Sequence, residues 1–172
     1  MSATCFACSR FGEAFMKVTE IMTKKPVCCF PSSSTVSAAL LMQETDTGIL
    51  PVVQDPFTPT LVGVVTDRDL CLHVVAADRN PSSTWIDGCM THDPVCCTEQ
   101  DDVSRALELM KTHQIRRLPV VNEKHEVAGI LSLSDLVCKA GIEASDIATT
   151  LWSICEPEHA RKQHIGTFIT AA

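Results

Sequence analysis

Two stretches of the chain set a glycine, a hydroxyl and a carboxylate at the same spacing. They are Gly63-Val64-Val65-Thr66-Asp67-Arg68-Asp69-Leu70 and Gly129-Ile130-Leu131-Ser132-Leu133-Ser134-Asp135-Leu136. In each, two β-favouring apolar residues lead to Thr66 or Ser132, and Asp69 or Asp135 follows three positions on. One carboxylate can accept hydrogen bonds from two neighbouring sugar hydroxyls. A helix opening at the hydroxyl would offer free N–H groups and a partial positive charge to a phosphate, and the hydroxyl would add to them. The glycine lets the backbone approach closely. The same pattern is also an ordinary helix start, with Thr66 or Ser132 as N-cap and the aspartate closing a capping box. On the motif alone both uses stand.

The elements that must position these residues are duplicated. Met22-Thr23 recurs as Met90-Thr91, Pro26-Val27-Cys28-Cys29 as Pro94-Val95-Cys96-Cys97, and Leu50-Pro51-Val52-Val53 as Leu118-Pro119-Val120-Val121, each 68 positions on. From Gly63 onward the offset is 66, so the first copy carries two extra residues in Asp55-Pro56-Phe57-Thr58-Pro59-Thr60. A constant offset with its one change confined to a Pro-rich turn marks a duplicated unit. Apolar runs and breakers give each copy the order strand, helix, strand, strand, helix. In the first, strands are expected at Val27–Phe30, Ile49–Val53 and Leu61–Val65. Its helices are expected after Ser32–Thr35, with Val36, Ala39, Leu40 and Gln43 on one face, and over Asp67–Ala77. In the second, strands fall at Val95–Cys97, Arg117–Val121 and Val127–Leu131, and helices at Val103–Thr112 and Ser134–Ala140, with Gly141 as a C-terminal cap.

These readings divide the chain into an N-terminal extension (1–15), repeat one (16–79), a turn-rich linker (80–84), repeat two (85–141) and a C-terminal helix and tail (142–172). Ile147, Leu151, Ile154 and Cys155 form the apolar stripe of that last helix, which Pro157 ends. The fold class is α/β (α+β). With 172 residues the chain suits one domain, or two small halves sharing a core. A net charge of −7 and a pI near 5.3 argue against general binding of nucleic acid or anionic membrane. No apolar run reaches the ~20 residues of a membrane span, and no signal segment opens the chain, so a cytoplasmic location is expected. Ten cysteines are then expected to be reduced, most of them small core residues. Cys5 and Cys8 form a lone Cys-x-x-Cys, which without a second pair is a weak metal signal.

With its order and motifs in hand, the chain resembles a tandem pair of CBS domains, a Bateman module. The pattern is Met-Thr-x-x-Pro-Val, then hydrophobic-Pro-Val-Val, then Gly-h-h-Thr/Ser-x-x-Asp-Leu, where h is apolar; both copies carry all three across residues 17–140. The segment Thr150 to Pro157 resembles the closing helix of small stand-alone bacterial members. The resemblance implies two repeats packed about a pseudo-two-fold axis, with clefts that take adenosine-containing ligands: AMP, ADP, ATP, S-adenosylmethionine or some dinucleotides.

Carried onto this chain, Asp69 and Asp135 would hold ribose, Thr66 and Ser132 would face phosphate, and Val27 and Val95 would form apolar faces for adenine. Arg116-Arg117 stand where family members often carry phosphate-binding pairs; the first copy has Gly48-Ile49 there. Arg68, inside the first motif, is matched by Ser134, so the two sites are expected to be unequal.

The reading is a regulatory sensor without catalysis, no enzyme, no catalytic cofactor and no metal, acting through another protein. Two alternatives stand beside it. One is a ligand-independent assembly module. The other is a thiol or metal function through Cys5, Cys8 and the paired cysteines, which alternation along a strand weakens because neighbours face opposite sides. A homodimer is expected through helix faces carrying Leu40, Leu41, Leu70, Leu72, Leu107 and Leu109, and Trp152 is expected to be at least partly buried.

Overall fold

The computed structural model describes residues 16–139 and 144–155. The chain enters through a one-turn helix, α1 (Val18–Ile21), whose start is tied by the Lys17 amide donating to Glu20 Oε1 at 2.8 Å. Then come β1 (Thr23–Lys24), α2 (Thr35–Glu44), β2 (Ile49–Val53), β3 (Leu61–Thr66) and α3 (Asp67–Leu70). α3 runs on as a π-helical stretch over Cys71–Val75, so the expected helix is present but changes its winding. Short 3-10 turns at Pro81–Ser83 and Ile86–Gly88 occupy the connection to the second repeat. The second repeat supplies β4 (Thr91–His92), β5 (Cys97–Thr98), α4 (Val103–His113), β6 (Arg117–Val121), β7 (Val127–Ser132) and α5 (Leu133–Lys139), and α6 (Ala144–Cys155) closes the described chain. Cys5, Cys8, Gly141 and Pro157 lie outside the described residues.

The strand expected at Val27–Phe30 reduces to a single bridge, Cys29 beside Val52. The Phe30 amide donates instead to Ser33 Oγ at 3.0 Å, and with Pro31 next in line the chain turns away before a strand can extend.

The strands form two sheets, in the orders β1-β7-β6-β5 and β2-β3-β4. Each sheet therefore takes one edge strand from the other repeat. Thr23 and Lys24 pair with Ile130 and Gly129; Thr91 and His92 pair with Val64 and Gly63. Between the sheets, Ile49, Leu61, Val64, Val121 and Ile130 form a shared core. A second core joins α2 to β2 and β3 through Ala38, Met42, Leu50 and Val65, and a third gathers α1, α4, α5 and α6 around Leu118, Leu131 and Met110.

α2 buries Thr35, Ala38 and Met42 rather than Val36, Ala39 and Leu40. The cause is a polar anchor: Thr35 Oγ1 donates to the Pro81 carbonyl at 2.8 Å and the Thr35 amide to the Thr84 carbonyl at 3.0 Å. That fixes the helix rotation and leaves Val36 37% and Leu40 52% exposed. α4 buries Val103, Ala106 and Met110, the equivalents of the same three positions, and Leu107 besides. α6 packs on α4 with Thr150 and Ile154 buried, and Gln114 Nε2 donates to the Ser153 carbonyl at 3.1 Å. Trp152 on the opposite side is 76% exposed, contrary to expectation within one chain, because the contacting stripe is set by Thr150 and Ile154. Among the described residues no helix is long and apolar enough to cross a membrane.

Candidate functional site

At the end of β7 the chain turns directly into α5. Asp135 Oδ2 accepts from the Ser132 amide at 2.9 Å and from Ser132 Oγ at 2.5 Å, while the Asp135 amide donates to Ser132 Oγ at 3.1 Å. The first motif repeats the arrangement. Asp69 Oδ2 accepts from the Thr66 amide at 2.8 Å and from Thr66 Oγ1 at 2.7 Å. Both hydroxyl protons are thus committed to the aspartates. Thr66 and Ser132 orient their carboxylates, and neither can donate to a phosphate while it does so.

Asp135 carries one contact that Asp69 does not. Lys139 Nζ lies 2.7 Å from Asp135 Oδ1 and also donates to the Ile21 carbonyl at 3.1 Å. Burial pushes the Asp135 carboxyl up, but the hydrogen bonds from Lys139 and Ser132 outweigh it and hold the carboxyl below its usual range.

Asp135 and Ser132 line a cavity of about 440 Å³ that neither repeat makes alone. Its second wall is the lead-in of the first repeat, Thr23, Lys25, Pro26 and Val27, brought there by the pairing of β1 with β7. Thr45, Asp46, Thr47 and Ile49 close one end, and Arg117, Ile130 and Ser134 complete it. Val27 is 41% exposed, an apolar surface open to a ligand. Arg117 reaches the space above Gly48, where an added Cβ would stand 3.4 Å from its guanidinium and 2.7 Å from Asp67 Oδ2. Neither Arg116 nor Arg117 forms an ion pair among the described residues; Glu108, a possible partner, is held by Arg105 at 2.8 Å.

Of the residues singled out from sequence, this cavity unites Val27, Arg117, Ser132 and Asp135. Arg116 lies instead on a neighbouring cavity of about 440 Å³, which shares Arg117, Ser132 and Ser134 and is backed by Leu133, Val137 and Leu151. Thr66, Arg68, Asp69 and Val95 do not line the Asp135 cavity. By the repeat offset, Thr66, Asp69 and Val95 are the equivalents of Ser132, Asp135 and Val27. Lys25 escaped the sequence reading although the repeat offset flags it: its equivalent is Asp93, and both adopt left-handed backbone, with φ of 51° and 45°. By the repeat offset, Lys25 and Arg117 of the Asp135 cavity correspond to Asp93 and Ile49, neither of them a cation. Ser134, whose hydroxyl carries no hydrogen bond among the described residues, is a further donor the motif reading passed over.

The paired cysteines differ in burial. Cys29 and Cys97 are buried and their neighbours Cys28 and Cys96 half-buried. Burial pushes the Cys28 thiol up to about 11 and the Cys29 and Cys97 thiols up to about 12. Among the described residues no group of three or more His, Cys, Asp and Glu side chains could hold a metal ion.

The pattern of the CBS domain family matches residues 18–76 and 86–139 of this chain. The Bacillus subtilis protein YlbB is 38% identical over 138 residues, covering 77% of this chain and 91% of YlbB. Among solved structures, CBSX2 of Arabidopsis thaliana, in complex with AMP, is similar at 30% identity and a TM-score of 0.62, over 72% of this chain and 95% of that one. The CBS domain pair of MJ0100, in complex with methylthioadenosine and S-adenosyl-L-methionine, is similar at 25% identity and a TM-score of 0.66, over 74% and 97% of the two chains.

Proposed function

The chain belongs to the CBS domain family, and we propose that it is a regulatory module that binds an adenine nucleotide in the Asp135 cavity without transforming it. One observation carries the reading: the cavity sets a sugar-reading carboxylate and an apolar wall beside two cations, Lys25 and Arg117. In this assignment Asp135 accepts from ribose, Pro26, Val27 and Ile130 bound the base, and Lys25, Arg117 and Ser134 meet the phosphate. The two cations favour a phosphate-bearing ligand, AMP, ADP or ATP, over the cationic sulfonium of S-adenosylmethionine. In a chain of net charge −7 such a local basic pair is needed to hold an anion at all. The complexes of CBSX2 and MJ0100 support an adenosyl ligand by similarity. A thermal-shift series with adenosine, AMP, ADP, ATP and S-adenosylmethionine tests it. A ligand at 100 times its Kd raises stability by about 2.7 kcal/mol. The reading requires the phosphate esters to shift the melting point more than adenosine does.

A second role, assembly, rests on a separate observation. Leu40 is 52% exposed, Leu72 47%, Val75 72% and Val137 48%, more bare apolar side chain on helices than a lone module needs. We propose that these helices join two copies into a homodimer, through which occupancy of the cavity is passed to a regulated partner protein. Leu107 drops out of the expected dimer face, because it is buried within the chain's own core beside α6. Sedimentation as a monomer at micromolar concentration, with and without AMP, would remove this role.

A further inference from the structure

We propose that Lys139 sets how many sugar hydroxyls the Asp135 cavity reads, limiting it to one where a full diol would otherwise be recognised. This rests on the reading that a nucleotide sugar meets Asp135. An ionised carboxylate offers about four lone-pair positions, two on each oxygen. Asp135 Oδ2 spends both of its own on the Ser132 amide and hydroxyl. Oδ1 spends one on Lys139 Nζ at 2.7 Å. A single acceptor position is left.

Lys139 is not a loose surface cation that a ligand brushes aside. It is braced from two elements, by Asp135 on its own helix and by the Ile21 carbonyl at 3.1 Å, at the end of α1. The ammonium thus ties α5 to the end of α1, just ahead of the lead-in strand that forms the opposite wall of the cavity. Displacing it would leave two acceptors, Oδ1 and the Ile21 carbonyl, to be satisfied again.

The other repeat shows what the carboxylate looks like without this lysine. Asp69 Oδ2 is filled in the same way by Thr66, but Asp69 Oδ1 takes no hydrogen bond among the described residues. The position equivalent to Lys139 is His73, which sits in the π-helical stretch Cys71–Val75 and forms no pair with Asp69. Asp69 keeps two acceptor positions and can take both hydroxyls of a ribose; Asp135 can take one. The ligand class of the Asp135 cavity therefore includes nucleotides in which one of the two ribose hydroxyls is missing or substituted.

Calorimetric titration of the full chain carrying Asp69→Ala, with AMP, 2′-deoxy-AMP and 3′-deoxy-AMP, reads this cavity alone. With Lys139 in place, one of the two deoxy forms should bind within about threefold of AMP, because only one hydroxyl is read. Adding Lys139→Met, a change at a half-exposed side chain checked by an unaltered melting profile, should make both deoxy forms at least tenfold weaker than AMP, since hydrogen bonds to a charged group typically carry about 10-fold or more in affinity. Lys139→Gln serves if the methionine variant melts early. Both deoxy forms at least tenfold weaker while Lys139 is present would overturn the inference, as would ratios that Lys139 replacement leaves unchanged. Failure of AMP itself to bind a folded chain would overturn the assignment of the cavity, and this inference with it.

Discussion

Gly129 and Met22 meet across the boundary between the repeats: a Cβ built on the glycine would lie 2.5 Å from Met22 Sδ and 2.9 Å from the Thr23 carbonyl oxygen. Gly63 stands in the same relation to Met90 and Thr91, at 2.8 and 2.9 Å. The motif glycine thus gives the other repeat's Met-Thr strand room to pair, rather than giving a ligand room to approach. Because that strand leads straight into Lys25 and Val27, the glycine positions one wall of the cavity from the other side of the sheet.

Gly129→Ala should therefore lower stability by about 1–3 kcal/mol, the usual cost of overpacking a core contact. Denaturant unfolding measures it. Shortening Met22 to Ala in the same chain should recover only part of the loss, because the Thr23 backbone oxygen cannot retreat as a side chain can. Full recovery would show that the methionine alone sets the constraint.

α6 should behave as part of the module. Ile154 is buried against the core that includes α4, so Ile154→Ala should cost about 2 kcal/mol, while Trp152→Ala, at an exposed position, should change stability little. Equal effects of the two substitutions on the melting temperature would contradict the observed face of the helix.

Asp135 ties stability to pH. Its folded carboxyl is held below the ordinary value of 3.8, so near and below that value the unfolded chain binds more protons than the folded one. The contribution is fully present at neutral pH and is lost as pH falls through the folded pKa. Melting temperatures followed from pH 6 to pH 3 should fall more steeply for the wild type than for Asp135→Asn. Parallel curves would show that the Lys139 and Ser132 contacts do not hold the carboxylate in solution.

The thiols should divide by burial. At pH 8 Cys29 and Cys97, pushed up to about 12, carry negligible thiolate, whereas Cys71, Cys138 and Cys155 are exposed. Among the described cysteines, timed alkylation followed by peptide mapping should label those three first and reach Cys29 and Cys97 only on unfolding. Early modification of Cys29 or Cys97 in the folded chain would revive a thiol function.

The central strands were legible in the sequence. Ile49–Val53 and Arg117–Val121 have the expected limits, since an apolar run bounded by a glycine or charge on one side and a polar turn on the other leaves little choice. The face of α2 was not legible. Its apolar residues, Val36 and Ala38 to Met42, spread around the helix rather than along one side, and the hydrogen bonds of Thr35 to Pro81 and Thr84 decide its rotation from a distant loop. Alternation along a chain also says nothing about which sheet a two-residue strand will join, so the exchange of β1 and β4 between repeats was hidden. That exchange brings Lys25 into the cavity of Asp135, and for that reason Lys25 went unread although Val27 beside it was named. Asp135 itself was legible from its motif, but the lone pairs already taken by Ser132 and Lys139 appear only in three dimensions.

The most direct test of the account is isothermal titration of AMP and of adenosine into the wild type, Asp135→Ala and Arg117→Ala. Losing a hydrogen bond to a charged group weakens binding by roughly 10- to 150-fold. Asp135→Ala should lose that much for both ligands at one site, whereas Arg117→Ala should weaken AMP by a similar factor and leave adenosine nearly unchanged. AMP binding of unaltered affinity and stoichiometry in folded Asp135→Ala would contradict the account, and would return Ser132 and Asp135 to the role of a helix cap.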